Sequence, residues 1–338
     1  YPALAIAEVL RDRGYRLRWV GTARGLENRV VPAAGFPLHR LPSRGLRGKG
    51  FTQRLVALGA LSVALLWAIA LMLRYRPVCV IGLGGYASVP TAVAAWLTGR
   101  TLALQEQNAI AGSANRFLAR FAQLIGTGFP GVFADQDKAQ FLGNPVRPAI
   151  SAVAQSRAWS NPEGRPLRVL ILGGSLGALP LNELLPRIAR ELGDGYEWHH
   201  QCGPRHEDVV VAKCRNQANY RVSAYLEDMA EAYGWADLVV CRSGALTVAE
   251  LAACGRPSIL IPLPHAIDDH QTANARFLAE AEAAVLMPQA RMYDELGPLL
   301  RTLGQDMARL AHMAAAAVSC ARPNAQIDFV NAVEAQLQ

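Results

Sequence analysis

The sequence predicts an α/β fold with two doubly wound domains, and three observations lead to this prediction. Short apolar segments typical of buried strands alternate with helical segments along the chain. A polar stretch at residues 160–166, rich in proline and glycine, interrupts this alternation, which then starts again. Each half also carries a glycine-rich turn between a strand and a helix, at residues 82–88 and 173–178.

The composition is that of a folded protein of ordinary size. The 338 residues suffice for two domains with their own cores. The chain is 51% hydrophobic and 18% charged, which excludes a largely disordered protein. The six cysteines lack CxxC spacing, which predicts reduced thiols and neither a disulfide framework nor a zinc site.

The first half begins with a helix, whereas an α/β domain normally opens with a strand and a loop. We therefore expect such a strand and loop to precede Tyr1. The predicted elements of this half are a helix at 2–13, a strand at 16–21, a short helix at 29–34, a strand at 38–41, a long apolar helix at 55–73, strands at 77–82 and 101–105, a helix from about residue 114, and strands at 123–126 and 140–142.

The second half repeats the plan after residue 166. Its predicted strands are 168–172, 196–201, 221–224, 238–241, 258–261 and 284–286. A helix is expected at 271–281, and the region from Tyr293 onward is predicted to be mostly helical.

The first quarter of the chain is basic and contains one long uncharged segment. Residues 1–76 hold thirteen Lys or Arg residues against three acidic residues, a local charge of +10 within a total of +7. This excess suits an anionic partner, with a merely solubilising basic face as the alternative. Residues 55–73 reach the length of a transmembrane helix, but a span there would separate two strands of one βαβ unit.

Both glycine turns predict phosphate sites, because backbone N–H groups at a helix N-terminus attract phosphate. Tight-turn geometry alone is the alternative reading of each turn. A dinucleotide site would need an acidic residue at the end of the next strand, where this chain has His199, His200 and Gln201. The sequence therefore argues against a nicotinamide cofactor.

The most specific segment is 237–250, which reads as a strand, a Ser-Gly turn and a helix carrying Glu250. The amides of Gly244 and Ala245 suit a diphosphate, and the Glu250 carboxylate can accept two hydrogen bonds from a ribose diol. The polar loop at 262–271 offers amide and imidazole groups suited to sugar hydroxyls. Together these segments predict a nucleotide-sugar site.

These motifs resemble, in order, those of the MurG transferases of glycosyltransferase family 28. The matching segments are 45–50, 82–86, 106–108, 143–147, 173–178, 241–247 and 269–271. This family transfers N-acetylglucosamine from its UDP donor to undecaprenyl-diphosphate-linked muramoyl-pentapeptide, in peptidoglycan biosynthesis. The resemblance implies a hexosyltransferase that acts in cell wall biogenesis, and through it in cell shape and cell division.

The resemblance also implies the GT-B fold, in which two Rossmann-like domains face each other across a cleft. Residues 1–146 would form the acceptor and membrane-facing domain, lacking its first strand and a GGTGGH loop. Residues 147–320 would bind the UDP-sugar. Residues 321–338 would form a C-terminal helix that packs back on the first domain.

Site residues carry over position by position from the resemblance. Leu226 would contact the uracil, Glu250 the ribose hydroxyls, and Arg147 and Ser175 the diphosphate. Asn108 and Gln271 would recognise the N-acetylglucosamine hydroxyls. The helix start formed by Ala245, Leu246, Thr247, Val248, Ala249 and Glu250 would stabilise charge on the departing UDP. Gly84, Gly85 and Tyr86 would seat the acceptor diphosphate.

The implied reaction inverts the anomeric centre and needs neither a cofactor nor a metal, since the UDP-sugar is a substrate. The histidine of the family's GGTGGH loop would lie before Tyr1, and Gln105 stands where a histidine is common. We therefore predict Glu106 as the catalytic carboxylate. Asp135 and Asp137 spell the DxD of metal-dependent transferases, but we interpret them as part of a solvated loop.

The resemblance further implies a peripheral protein of the cytoplasmic face of the bacterial inner membrane, in contact with anionic lipid and with other cell-wall synthesis proteins. The predicted membrane contacts are Leu58, Leu61, Leu65, Leu66, Trp67, Arg47, Lys49 and Arg54. A fully buried core helix and a transmembrane helix remain as alternatives for residues 55–73.

Three further functions stay open at the level of sequence. The chain could be another GT-B glycolipid transferase, a UDP-sugar epimerase of similar fold, or a non-catalytic remnant that binds UDP-sugars. No nucleic-acid partner is expected, because no aromatic side chains are interleaved with the basic residues.

Overall fold

The computed structural model describes residues 2–22, 25, 27–41, 51–264 and 266–337, without the side chains of 51–58 and 267. The chain divides into two compact units. The first comprises Tyr1–Pro145 and Asn324–Gln338, and the second comprises Val146–Pro323. The six cysteines are free.

The first unit alternates helices and strands along the chain. Its elements are α1 (Pro2–Asp12), β1 (Trp19–Thr22), α2 (Glu27–Ala33), β2 (Leu38–Leu41), α3 (Phe51–Tyr75), β3 (Cys79–Gly82), α4 (Ser88–Leu97), β4 (Thr101–Glu106), α5 (Ser113–Leu118), a 3-10 turn (Ala119–Phe121), β5 (Leu124–Thr127) and β6 (Ala139–Phe141).

The strands of the first unit form two parallel sheets instead of the single sheet that the sequence predicts. One sheet contains β1 and β2, and the other has the order β3-β4-β5-β6. The difference arises because β1 is hydrogen-bonded, among the described strands, to β2 alone. Helices cover both faces of β4: Ala103 packs with α1, whereas Leu102 and Leu104 pack with α4 and α5.

The second unit contains the larger sheet. Its elements are α6 (Pro148–Ser151), α7 (Val153–Ser156), β7 (Leu167–Leu172), α8 (Leu179–Leu192), a 3-10 turn (Gly193–Gly195), β8 (Tyr196–Gln201), α9 (Glu207–Cys214), β9 (Tyr220–Ser223), α10 (Met229–Trp235), β10 (Leu238–Cys241), α11 (Ala245–Cys254), β11 (Ser258–Leu260), a 3-10 turn (Ile267–Asp269), α12 (His270–Glu280), β12 (Ala284–Leu286), α13 (Met292–Gln305) and α14 (Met307–Cys320).

The order of these strands marks where a ligand is expected. The sheet is parallel with the order β12-β11-β10-β7-β8-β9, so the chain leaves β7 toward β8 and later returns to its other side at β10. Ligands of open parallel sheets bind beyond the carboxyl ends of the strands at such a switch point. The ends of β7 and β10 therefore position the candidate site of this unit.

The last helix, α15 (Ala325–Ala335), belongs to the first unit. Its residues Phe329, Val330 and Val333 are buried in the same core cluster as Ile6 and Leu10 of α1. Phe329 lies so close to β5 that a Cβ on Gly126 would be 2.5 Å from the phenylalanine ring. An ion pair between Arg13 and Glu334 adds a contact with the end of α1.

Helix α3 has one buried and one exposed face. Ala68 and Met72 pack against Leu41 of β2 and Ala94 of α4. This packing excludes a helix buried on all sides, because several apolar side chains on the other face are exposed. Within the described residues, none of the helices, α3 included, combines the length and the apolar character needed to cross a bilayer.

Candidate active site

The glycine turn after β7 is shaped by close backbone approach. Gly174 and Gly177 have φ values of +85° and +79°, a region that favours glycine. A Cβ on Gly177 would overlap the carbonyl oxygen of Cys202, at the end of the neighbouring strand β8. The turn thereby leaves Ser175 exposed beyond β7, where its hydroxyl and the surrounding amides can meet a ligand.

The turn after β10 leads into α11, whose first amides lack intrahelical partners by geometry. Gly244 is extended, with φ −62° and ψ 145°, and α11 begins at Ala245. The side chains of Ala245 and Val248 are buried, so a ligand could contact these two residues only through the backbone. Leu246, Thr247 and Ala249 are half-buried. This helix start is a site of positive potential at the switch point of the sheet.

Glu250 lies in the second turn of α11 and remains partly open. Its side chain is 17% exposed. Oε2 accepts a hydrogen bond from the Tyr233 hydroxyl at 3.0 Å, and Oε1 lies 3.5 Å from Nη2 of Arg147. Burial raises the pKa of Glu250, while Tyr233 and Arg147 act in the opposite direction by favouring the charged form.

The other residues predicted to bind the donor lie on loops and at helix starts of the second unit. Leu226 is half-buried in the loop between β9 and α10. Gln271 is in the first turn of α12, and its Oε1 accepts a hydrogen bond from the amide of Leu263 at 2.9 Å. Asn274, fully buried on the same helix, donates to the carbonyl oxygen of Ser243 at 3.2 Å. This bond ties α12 to the turn before α11.

Sequence reasoning did not identify Tyr233 as part of this site. Tyr233 is fully buried on α10 and is the only described hydroxyl donor to Glu250. An aromatic residue in a short helix reads as core, and nothing in the sequence shows that its hydroxyl reaches a carboxylate 17 residues later. The contact depends on how α10 packs against α11.

In the first unit, the turn after β3 carries two consecutive glycines in the left-handed region. Gly84 and Gly85 have φ values of +83° and +76°. Tyr86 is 49% exposed, and the Ser88 hydroxyl at the start of α4 donates to the carbonyl oxygen of Gly85 at 2.8 Å. Successive amides in such a turn form a concavity that suits an anion.

Glu106 ends β4 and is only 2% exposed. Oε1 accepts from the amide of Asn108 at 2.9 Å and from its side-chain Nδ2 at 3.4 Å. Oε2 accepts from the amide of Gly112 at 3.0 Å and from Nδ2 of Asn115 at 2.8 Å. The carboxylate thus organises the loop that carries Asn108, a task beyond the predicted one; its part in catalysis stays a prediction.

Gln105 is 1% exposed and joins a second polar network. Its Nε2 donates to Oδ1 of Asn144 at 3.1 Å, and Nδ2 of Asn144 donates to the carbonyl oxygen of Gln107 at 2.8 Å. A buried amide can donate and accept at once, so Gln105 satisfies this network without a charge.

The remaining polar motifs of the sequence have local roles or lie in solvent. His199 is hydrogen-bonded to the Ser223 hydroxyl at 3.0 Å and His200 to the Tyr220 hydroxyl at 2.8 Å. Burial lowers their pKa values to about 4 and about 3. Asp135 and Asp137 are exposed in a turn region. No group of three His, Cys, Asp or Glu residues suited to a metal occurs among the described residues.

The predicted membrane residues separate into three groups. Arg47 and Lys49, together with the side chains of Arg54 and Leu58, lie outside the described residues. Leu61 is half-buried, and Leu65 and Trp67 pack against the core under α3. Leu66 is 67% exposed.

The exposed apolar face of α3 therefore differs from the predicted set. It consists of Val63, Leu66 and Leu73. The neighbouring helices α4 and α5 also carry exposed apolar side chains, namely Trp96, Leu97 and Phe117. We call these six residues the α3–α5 apolar surface. The uncharged segment 55–73 covers about five turns of α3. It hides this register, because a helix that is apolar all round has no unique face in sequence.

Comparisons with known proteins agree with this architecture. The profiles of the glycosyltransferase family 28 N-terminal and C-terminal domains match residues 1–127 and 168–328. A relative from Pseudomonas syringae pv. syringae is 47% identical over 335 residues, 98% of this chain and 93% of the relative. One from Pseudomonas fluorescens is 48% identical over 337 residues, with the same coverage. Both are named UDP-N-acetylglucosamine–N-acetylmuramyl-(pentapeptide) pyrophosphoryl-undecaprenol N-acetylglucosamine transferase.

Solved structures give the same result. The crystal structure of Acinetobacter baumannii MurG aligns with a TM-score of 0.83 and 36% identity, over 99% of this chain and 95% of that one. The glycosyltransferase of kitacinnamycin aligns with a TM-score of 0.76 at 17% identity, a likeness of fold alone. The chain has two Rossmann-like domains and matches its relatives over nearly its whole length. It therefore belongs to glycosyltransferase family 28, among the MurG transferases.

Proposed function

We propose that this chain transfers N-acetylglucosamine from UDP-N-acetylglucosamine to the C4 hydroxyl of undecaprenyl-diphosphate-linked N-acetylmuramoyl-pentapeptide. The observation that carries the proposal is identity of 47% and 48% to transferases of that name over 98% of the chain. The arrangement at the switch point of the second unit supports it. The product would serve peptidoglycan biosynthesis.

The second unit would hold the donor. The ribose diol would donate to the open part of the Glu250 carboxylate, and the uracil would meet the backbone near Leu226. The diphosphate would lie against Arg147, Ser175 and the start of α11, which together supply positive charge and N–H donors. Gln271, and Asn108 of the first unit, remain predicted contacts of the sugar hydroxyls.

In the reaction, the muramoyl C4 oxygen attacks the anomeric carbon from the face opposite the diphosphate. The bond from that carbon to the UDP oxygen breaks, and its electron pair leaves with UDP. The attacking hydroxyl loses its proton to a base, for which Glu106 is the predicted residue of this chain. Negative charge grows on the departing phosphate, where the α11 amides would stabilise it.

The same positive groups lead us to propose that the reaction needs neither a metal nor a cofactor. Arg147 and the α11 dipole already offer the charge that a divalent ion supplies to diphosphates in other enzymes. Transfer rates should be unchanged in excess chelator. A rate that disappears with chelator and returns with Mg²⁺ would contradict this part of the proposal.

The acceptor's lipid anchor requires a membrane surface, and the α3–α5 apolar surface is the part of the described chain that suits one. Phe117 packs edge-on against Phe121, and the Arg120 guanidinium lies 5.1 Å from the Phe117 ring centroid. Apolar side chains next to arginines are typical of monotopic contact with anionic lipid. We propose peripheral attachment to the cytoplasmic face of the inner membrane.

The test is transfer of radiolabelled N-acetylglucosamine from its UDP donor to the lipid-linked muramoyl acceptor. We expect labelled disaccharide-lipid with the native chain and a strongly reduced rate with Glu250→Gln. A UDP-sugar epimerase would interconvert the donor without acceptor, and another glycolipid transferase would label a different lipid. A protein that binds UDP but labels no acceptor would be a non-catalytic binder.

A further inference from the structure

We propose that Tyr233 is a positioning residue, which fixes the Glu250 carboxylate for the ribose of the nucleotide. The inference rests on the proposed function, because it deepens the role of Glu250 in donor binding. Tyr233 itself is fully buried and cannot touch the nucleotide. Its effect would pass through its hydrogen bond to Oε2 of Glu250 at 3.0 Å.

The first argument concerns the direction of this hydrogen bond. Burial raises the pKa of the Tyr233 phenol well above its ordinary value, so the hydroxyl stays protonated and acts as a donor to the carboxylate. One oxygen of Glu250 is thereby fixed from within the protein. The carboxyl group keeps a single orientation in which its exposed part remains available to a vicinal diol.

The second argument concerns charge. Burial raises the pKa of Glu250, and the Tyr233 hydroxyl stabilises the ionised form that can accept two hydrogen bonds. Without this hydroxyl, the pKa of Glu250 should rise further. The neutral acid accumulates as the pH falls, so a variant without the hydroxyl should lose nucleotide affinity at a higher pH than the native protein does.

The third argument is that Tyr233 is itself held rigidly. Arg256, 2% exposed, donates through Nε to the carbonyl oxygen of Tyr233 at 2.6 Å and through Nη2 to the carbonyl oxygen of Arg157 at 2.5 Å. The Arg157 side chain lies against Gly234, the residue after Tyr233. A Cβ on Gly234 would be 2.7 Å from Cδ of Arg157. A buried guanidinium that bridges two carbonyls fixes the end of α10.

Helix α10 also connects two residues that are predicted to contact the nucleoside, Leu226 and Glu250. Leu226, the predicted uracil contact, precedes the helix by three residues, and the carboxylate of Asp228 caps it by accepting from the amide of Glu231 at 2.8 Å. The same short helix therefore starts next to the base contact and reaches the ribose contact through Tyr233. We infer that it sets the spacing between these two contacts.

The experiment is a double-mutant cycle of Tyr233→Phe and Glu250→Gln, read as the Kd for UDP by calorimetry from pH 6 to pH 9. We expect Tyr233→Phe to raise the Kd about tenfold, with a loss of affinity that grows as the pH falls. The double variant should bind UDP no more weakly than Glu250→Gln alone, because the two groups act as one unit. At saturating donor, kcat of Tyr233→Phe should stay within about twofold of the native value.

The matched control is Tyr220→Phe, which removes another buried hydroxyl of the same unit, one that contacts His200 instead of Glu250. This control should leave the Kd for UDP unchanged across the pH range. Additive effects of the two substitutions, or an unshifted pH dependence in Tyr233→Phe, would overturn the positioning role. If Glu250→Gln itself binds UDP normally, the donor-site assignment is wrong, and the inference falls with it.

Discussion

Two carboxylates, one in each unit, differ in the partners of their oxygens. Glu106 is 2% exposed, and both of its oxygens accept hydrogen bonds from the loop that follows it. Glu250 is reached by the Tyr233 hydroxyl and by Arg147, and its side chain stays 17% exposed. Both sit near the carboxyl edge of a parallel sheet, where ligands bind.

The difference separates a carboxylate whose oxygens are all hydrogen-bonded to nearby donors from one that keeps room for a further partner. A carboxylate saturated by local donors gives its interaction energy to its own loop. One left partly unsaturated carries a desolvation cost, visible in the raised pKa of Glu250, and keeps acceptor capacity for a ligand. The units should therefore respond differently to matched substitutions.

The largest expected effect compares glycines of the two turns. Gly177→Ala would force a methyl group into the carbonyl oxygen of Cys202, whereas Gly85→Ala has open space around it. Both positions have positive φ. We expect a loss in unfolding free energy of about 4 kcal/mol for Gly177→Ala and about 1 kcal/mol for Gly85→Ala, measured by urea denaturation. Equal losses would mean that the turn at Gly177 is packed less tightly against Cys202 than the structure shows.

The next prediction uses the carboxylates themselves. Glu106→Gln places an amide NH2 against backbone N–H donors in either orientation, because Asn108 and Gly112 approach different oxygens. It should lower the unfolding free energy by about 3 kcal/mol. In Glu250→Gln the Tyr233 hydroxyl can still donate to the amide oxygen, so the loss should stay below about 1 kcal/mol. A larger loss in unfolding free energy for Glu250→Gln than for Glu106→Gln would contradict this difference between the two carboxylates.

A third prediction contrasts exposed apolar side chains of the two units. Leu66→Asp removes an exposed side chain of the α3–α5 apolar surface, and Val209→Asp changes one that is 58% exposed on α9. We expect about thirtyfold weaker binding of Leu66→Asp to anionic vesicles in sedimentation assays, since burial of one leucine is worth about 2 kcal/mol. Val209→Asp should bind as the native chain does. Equal losses would place the membrane contact elsewhere.

The smallest expected effects come from two substitutions, one in each unit, that should each affect the binding of a different substrate. Ser175→Ala should raise the Kd for UDP about threefold and leave the KM of the lipid-linked acceptor unchanged, because it removes one neutral hydrogen-bonding group from the donor side. Tyr86→Phe should raise the acceptor KM about threefold and leave the Kd for UDP unchanged. Steady-state kinetics and calorimetry separate the two. If each variant changed both constants, the assignment of donor binding to the second unit and of acceptor binding to the first would be wrong.

Much of the fold could be predicted because hydrophobic periodicity is local. β2, β8, β10 and β12 were predicted with the bounds they have. The prediction for β1 began at residue 16, whereas the strand begins at Trp19, since its pairing with Leu38 of β2 decides where it starts. Strand pairing is a property of distant segments, which no single-segment pattern contains.

The candidate site was predictable where chemistry is encoded in consecutive residues, as in the Ser-Gly turn before α11 that leads to Glu250. It was less predictable where tertiary packing decides. The hydroxyl of Tyr233 and the exposed position of Leu66 depend on neighbouring helices. The saturated hydrogen bonds of Glu106 likewise depend on a loop that returns to the carboxylate at Gly112.

The packing of α15 has a consequence for the order of events during synthesis. Phe329 and Val333 complete the core of a unit whose first helix begins at Pro2. The ribosome makes the whole of Val146–Pro323 between these two parts. At ordinary translation rates this takes roughly 10 to 40 s. The unit begun first is therefore finished last, and until α15 emerges, the apolar side chains that it will cover remain for chaperones to shield.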